Sequence, residues 1–131
     1  MTTFVVATDS VHTSAAICDY LFDRLNEADT VYAVNSLHDD APEASRDGKD
    51  ALNAVASRLA AVTTVETEQF NRGNAPVADI LSFAEEVDAD EVVIGVRTPT
   101  ETGTVAIGDI SEQVLLQSDR PTVVVPHELE I

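Results

Sequence analysis

Short apolar runs alternate with amphipathic segments along this chain, and that order leaves few folds open. Five of the runs are rich in residues that favour strands, which predicts β-strands at Phe4–Thr8, Thr30–Asn35, Val65–Phe70, Glu91–Gly95 and Thr122–Val125. Between them apolar residues recur at helical spacing, which predicts helices at Ala15–Leu25, Glu43–Ala61, Pro76–Val87 and Asp109–Gln117. Alternating strands and helices with short connections predict a parallel sheet with helices on both faces.

The composition fits one domain over residues 1–131. At 44% hydrophobic residues, the chain has enough apolar side chain for a single core. The first, fourth and fifth predicted strands are continuous apolar runs, as expected of strands buried on both sides, whereas Val65–Phe70 alternates and reads as an edge strand. Cys18, the only cysteine, is expected to be a small buried residue.

The charge excludes several classes of partner. The chain has 24 acidic and 7 basic residues, for a net charge of −17, which repels nucleic acid and anionic membranes. No signal segment and no apolar run of about 18 residues is present, so we expect a cytoplasmic protein. The acids are spread along the chain and Lys49 is the only lysine, a balance typical of salt-loving cytoplasms. The alternative is an acidic docking surface for a basic partner.

Candidate ligand-binding residues follow three of the predicted strands. In an open α/β sheet, ligands bind beyond the carboxyl ends of the strands at the point where the strand order reverses. The residues there are Thr8-Asp9-Ser10, Asn35-Ser36 and the segment Gly95–Ser111. That segment carries three glycines and leads into a helix, which is favourable geometry for an anion. It is neither a P-loop nor a GxGxxG fingerprint, and an ordinary strand-to-helix turn remains the alternative.

The segment GVRTPTETGTVAIGDIS resembles a motif of universal stress proteins. That family has a glycine ending its fourth strand, a second glycine three residues on, and a Gly-Ser or Gly-Thr pair after nine more residues. Gly95 matches the first position and Gly108 the third, but Thr98 replaces the second glycine and Asp109 replaces the hydroxyl residue. The resemblance extends over nearly the whole chain, through VVATDS, RGNAPVADILSFAEEVDAD, ADEVVIG and GDISEQVLLQSDRPTVVVP.

The resemblance implies a Rossmann-like, doubly wound, five-stranded parallel sheet of order 3-2-1-4-5. It implies a cytoplasmic stress-response protein that binds ATP or AMP, with Mg²⁺ accompanying ATP, and that forms a homodimer through Thr122–Val125. Adenosine would contact Asp9 and the end of the second strand near Val34. The remaining candidate residues lie on the phosphate side of the nucleotide: Gly95, Arg97, Thr98, Gly108, Asp109, Ile110 and Ser111.

Several of these residues have a second interpretation. Asp9 could cap the first helix instead of accepting from the ligand. Arg97 could pair with Glu101 instead of a phosphate. Asp109 fits a capping box with Glu112, and its carboxylate would disfavour phosphate.

The remaining chemistry-bearing residues predict no active site. His12, His38 and His127 are interpreted as surface residues, since no second ligand stands at metal spacing. No nucleophilic triad or general base is recognisable, so we expect no dedicated enzyme, with slow ATP hydrolysis left open. The alternative function is a nucleotide-free dimeric interaction module.

Overall fold

Nine elements build the part of the chain that this computed structural model describes, residues 1–37, 41–71, 75–98 and 109–128. For Arg97, Thr98, Asp109 and Glu128 the description covers the main chain alone. In chain order the elements are β1 (Thr3–Ala7), α1 (Val11–Phe22), β2 (Thr30–Ser36), α2 (Pro42–Leu59), β3 (Thr64–Phe70), α3 (Pro76–Glu86), β4 (Glu91–Thr98), α4 (Asp109–Gln117) and β5 (Thr122–Glu128).

The five strands form one parallel sheet in the order β3-β2-β1-β4-β5. This confirms the predicted Rossmann-like α/β fold and its strand order. Starting from β1, the chain winds first to β2 and β3 and then returns to β4 and β5. The order therefore reverses between β1 and β4, which is where an open α/β sheet forms a crevice at its carboxyl edge.

Two apolar clusters cover the two faces of the sheet. On one face α1 and α2 pack over Val6, Val31 and Val93. On the other face α3 and α4 pack over Val5, Val34, Val92 and Ile94. The residues of β1 and β4 thus alternate between two cores, which confirms that their continuous apolar runs are buried on both sides.

Several predicted boundaries were wrong. Helix α1 begins at Val11, earlier than Ala15, because Ser10 caps it. Strand β4 continues past Gly95 to Thr98 and β5 past Val125 to Glu128, since these two strands stay paired as far as Thr98↔Glu128.

Helix α3 begins at Pro76, as predicted. Pro76 lies in the first turn, as the sequence predicted, where its missing N–H costs the helix no hydrogen bond. The N-cap is Ala75, which makes no side-chain capping hydrogen bond.

Candidate functional site

Asp9 lies at the carboxyl end of β1, beside the point where the strand order reverses. The Thr8 N–H donates to the Val34 carbonyl oxygen at 3.1 Å, so strand pairing continues up to the residue before Asp9. Ser10 is the N-cap of α1, and its Oγ accepts from the Thr13 N–H at 3.2 Å. The alternative in which Asp9 caps this helix is therefore wrong. Asp9 is exposed and stands just before the cap, at the carboxyl edge of the sheet.

Val34 contributes main chain and no side chain to this edge. Its side chain is completely buried in the core under α3 and α4. A ligand at this position could contact the main chain of Val34 but not its side chain. Two residues further on, the Ser36 hydroxyl donates to Oδ2 of Asp79 at 2.7 Å, which ties the end of β2 to the buried first turn of α3.

Gly95 lies within β4 and faces α1. A Cβ atom built on it would stand 2.7 Å from Cγ2 of Thr13, closer than real side chains approach one another. A glycine is therefore needed at this position for the first turn of α1 to pack this closely against β4, whatever its role toward a ligand. Its carbonyl oxygen accepts from the Ser111 hydroxyl at 3.1 Å, so the structure brings these two candidate residues together.

The other candidate residues of the phosphate side are described in part. Ile110 is exposed at the start of α4. Arg97, Thr98 and Asp109 are placed by their main chain, at the end of β4 and the beginning of α4. Gly108 lies outside the described residues, as does Glu101, the alternative partner of Arg97.

The sequence interpretation missed a chain of buried and partly buried hydrogen bonds beneath the Asp9 loop. Nε2 of Gln69 donates to Oδ1 of Asn35 at 3.1 Å, and Nδ2 of Asn35 donates to the Thr8 carbonyl at 3.0 Å. The Thr8 hydroxyl contacts the Ser14 hydroxyl at 2.8 Å, and that hydroxyl donates to the Ala51 carbonyl of α2. The available signal was Asn35, a polar residue at an inward-facing position of a buried strand.

His127 is a second residue whose position the sequence did not reveal. Its Nε2 lies 3.1 Å from Oγ1 of Thr13, which also accepts from the capping Ser10 hydroxyl at 3.0 Å. His127 is therefore a partly exposed residue with a structural contact that the sequence interpretation did not include. The end of β5 is hydrogen-bonded to the start of α1, beside Gly95.

Cys18 lies away from this site, and no metal cluster is found within the described ranges. Cys18 is buried in the core between the sheet and α1, as predicted. Burial raises the pKa of its thiol to about 11, while Arg58 lowers this pKa and Asp19 raises it by smaller amounts. The thiol therefore stays protonated near neutral pH. Among the same residues, no group of three or more His, Cys, Asp or Glu side chains could hold a metal ion, and no helix is long and apolar enough to span a bilayer.

The strand order and the polar groups at its reversal define a Rossmann-like protein with a crevice at the carboxyl edge of the sheet. The sequence matches the Universal stress protein family over residues 1–126, and the chain belongs to that family. A comparison with curated protein sequences found no match.

Solved structures of the same family have a similar fold. A universal stress protein from Archaeoglobus fulgidus is 27% identical, with a TM-score of 0.76 over 95% of this chain and 98% of that one. A universal stress protein from the same organism in complex with dAMP is 25% identical, with a TM-score of 0.71 over the same shares. An Arabidopsis thaliana family member with AMP bound shares the fold at 11% identity, with a TM-score of 0.64 over 97% of this chain and 92% of that one.

Proposed function

We propose that this universal stress protein binds an adenine nucleotide at the carboxyl edge of β1 and β4. It then acts through its nucleotide-bound state rather than by turnover. The observation that carries this proposal is the Asp9 carboxylate, which stands at the reversal of the strand order while Ser10 caps α1 in its place. The dAMP complex of the relative that is 25% identical supports a nucleoside monophosphate as the ligand.

The adenosine half of the site would use Asp9 and the backbone of β2. An ionised carboxylate accepts hydrogen bonds and cannot donate, so Asp9 suits the hydroxyl donors of a ribose or the amino group of adenine. Because the Val34 side chain is buried, that residue would contact the base through its main chain.

The phosphate half would lie between the end of β4 and the start of α4. Main-chain N–H groups at a helix N-terminus attract anions, and Arg97 would add a cation. The Ser111 hydroxyl proton points at the Gly95 carbonyl, so Ser111 would meet a phosphate through its N–H. The proposed contacts on this side are Gly95, Arg97, Thr98, Gly108, Asp109, Ile110 and Ser111.

Asp109 weakens this half of the site toward ATP. A carboxylate there supplies negative charge to the helix N-terminus in place of phosphate. Two unit charges about 4 Å apart repel by about 4 kcal/mol at an effective dielectric of 20, which is an upper bound that Mg²⁺ or a shifted pose reduces. AMP carries less negative charge than free ATP and suits the site better, whereas ATP would need Mg²⁺ to offset the difference.

Replacing Asp109 by serine therefore tests the phosphate half. We expect Asp109→Ser to tighten ATP about ten-fold and to leave adenosine unchanged, because the lost repulsion acts on phosphate alone. Calorimetric titration in molar KCl with Mg²⁺ measures both affinities. Asp119→Ser is the matched control, since it removes the same charge just beyond the C-terminal end of α4, where the Asp119 side chain is 93% exposed.

Two outcomes would contradict this assignment. Equal tightening of ATP and adenosine would mean that Asp109 does not face phosphate, and tight ATP binding by the unmutated protein would mean that its charge is harmless. No binding by either form would favour the nucleotide-free interaction module.

A homodimer through β5 is part of the proposal. The Val92 N–H donates to the Pro121 carbonyl, so the main-chain groups of Pro121 face β4. Successive residues of a strand direct their N–H and C=O groups to opposite sides, and the main-chain groups of Thr122 and Val124 therefore point to the free edge of the sheet. Pro126 falls on that side too, where it has no N–H to offer, and so limits the length of the pairing.

The same dimer tests the proposal that the acidic surface suits a salty cytoplasm. Two copies with a net charge of −17 each repel at low salt, whereas molar salt shortens the Debye length to about 3 Å. We expect sedimentation at micromolar protein to give dimer in about 3 M KCl and monomer in about 0.1 M KCl. Monomer at both concentrations would contradict the dimer, and dimer at both would contradict the salt adaptation.

Residues 1–131 would form one domain without dedicated catalysis. No general base is assigned among the described residues of the crevice, so slow ATP hydrolysis is a third and weaker candidate. A nucleotide-bound, dimeric protein of the cytoplasm, active in a stress response, is the function we propose.

A further inference from the structure

We propose that Asn35 is a positioning residue for the nucleotide site, acting through the peptide between Thr8 and Asp9. The inference rests on the proposed function, but its geometry is independent of any ligand. Asn35 is 5% exposed, so it would not touch a ligand itself. Its amide holds the carbonyl that precedes the proposed ligand-binding aspartate.

The orientation of the Asn35 amide is determined by acceptors at both ends of the chain of hydrogen bonds. Gln69 Nε2 donates to the Ser45 carbonyl at 3.0 Å, and a carbonyl can only accept. The Gln69 group facing Asn35 is therefore a donor, which places Oδ1 of Asn35 toward it. Nδ2 then faces the Thr8 carbonyl, also a pure acceptor. No alternative flip of either amide satisfies these partners.

The hydrogen bond to Thr8 sets the direction of the next N–H. A trans peptide is planar, and its C=O and N–H point in opposite directions. Holding the Thr8 carbonyl toward Asn35, on the face covered by α1 and α2, therefore turns the Asp9 N–H the other way. The Asp9 backbone then leads into the capping Ser10 in one fixed orientation.

A second anchor holds the same residue through its hydroxyl. The Thr8 hydroxyl lies 2.8 Å from the Ser14 hydroxyl, which donates to the Ala51 carbonyl. It also lies 3.2 Å from the Ser10 carbonyl, to which it can donate. Both anchors end on main-chain carbonyls of α2, at Ser45 and Ala51. Helix α2, which is not itself at the crevice, thereby fixes the loop that carries Asp9.

Two variants of Asn35 test the role. Asn35→Asp keeps the shape and the bond from Gln69 but replaces the donor to Thr8 by a repelling acceptor, and Asn35→Leu removes both bonds without adding charge. The matched control is Thr63→Val, which loses an equally buried bond, Thr63 Oγ1 to the Asp29 carbonyl at 2.6 Å, at the opposite end of the sheet.

The first readout needs no ligand. Amide hydrogen exchange measured by NMR should become about ten-fold faster over Asp9–Thr13 in both Asn35 variants and stay unchanged there in Thr63→Val. The second readout is calorimetric titration of AMP, which should weaken about ten-fold in the Asn35 variants alone. Gln69→Leu leaves the hydrogen bond from Asn35 to Thr8 in place, so exchange over Asp9–Thr13 should rise and AMP affinity should fall by only about three-fold. This variant provides the test if both Asn35 variants fail to fold.

The two readouts separate the inference from the proposed function. Asn35 variants that melt earlier, as Thr63→Val does, but keep normal exchange over Asp9–Thr13 would overturn the positioning role. If exchange rises while AMP affinity stays unchanged, the loop is held by Asn35 but the ligand does not depend on it, which also overturns the inference. If the unmutated protein does not bind AMP, the proposed function fails, while the exchange data still decide whether Asn35 orients the loop.

Discussion

Replacing Gly48 by alanine should destabilise the protein by about 2 kcal/mol, although alanine is the better helix former. In an exposed helix the substitution would stabilise by about 1 kcal/mol, because glycine has more conformational freedom to lose on folding. Gly48, however, faces the Asn35 amide. A Cβ atom there would stand 2.0 Å from Oδ1 of Asn35 and 2.8 Å from Nε2 of Gln69.

The sign of the effect follows from what has to move. Either α2 shifts outward from the sheet, or the Asn35 amide swings away, which leaves the Thr8 carbonyl without its donor and the Gln69 amide with the Ser45 carbonyl alone. Overpacking costs about 1–3 kcal/mol, and each buried polar group left unsatisfied costs about as much again. Both costs exceed the gain in helix propensity.

Denaturant unfolding of the single and double variants checks this prediction. Asn35→Ala removes the two nearest atoms that the new methyl group would meet and leaves Nε2 of Gln69 at 2.8 Å, so Gly48→Ala should cost much less in that background. A coupling free energy of about 1–2 kcal/mol between the two sites is expected. Gly48→Ala that is as stable as the unmutated protein would contradict the close approach of α2 to Asn35.

Gly95 to alanine is the second large effect that we expect, again a loss of about 2 kcal/mol in the free energy of unfolding. The clash is with Cγ2 of Thr13, at 2.7 Å, while the His127 ring lies at an ordinary 3.6–3.7 Å. Thr13 cannot simply rotate, because its hydroxyl is bonded to both Ser10 and His127. The new methyl group therefore pushes α1 away from β4.

The substitution Thr13→Ser should restore part of the stability lost in Gly95→Ala. Serine keeps the hydroxyl and lacks the methyl group that clashes, so the double variant Gly95→Ala with Thr13→Ser should recover about 1–2 kcal/mol relative to the sum of the single effects. Thr122→Ser, on the partly buried face of β5, is the matched control and should give no coupling with Gly95→Ala. A loss that is purely additive would mean that Gly95 is a glycine for a reason other than its contact with α1.

The parts of the fold that could be predicted are those encoded in local pattern. The apolar runs of β1 and β4 predicted strands buried on two sides, and the alternation in β3 predicted an edge strand; the sheet has both. The extension of β4 and β5 was missed for a physical reason. Strand β1 pairs with β4 as far as Val6↔Val93, whereas β4 and β5 continue together to Thr98↔Glu128. The last residues of this two-stranded extension are polar and do not have the apolar pattern that predicts a strand.

The candidate site was predictable at single positions but not as an arrangement. Asp9 follows an apolar strand, so its place at the carboxyl edge could be derived from sequence. The link from Gln69 through Asn35 to Thr8 could not, because these residues lie in β3, in β2 and directly after β1, and they bond with one another only when the register is set. His127 likewise meets Thr13 across 114 positions of sequence.

The measurement that tests the central claim most directly is a titration of the ¹⁵N-labelled protein with AMP in molar KCl, followed by heteronuclear NMR. The account predicts saturable amide shifts concentrated at residues 8–13, at the end of β2 and across the segment from Gly95 to Ser111. The opposite edge of the sheet, near Asp29 and Thr63, should stay unchanged. Amide positions that do not move at millimolar AMP, or shifts that gather at that opposite edge, would contradict it.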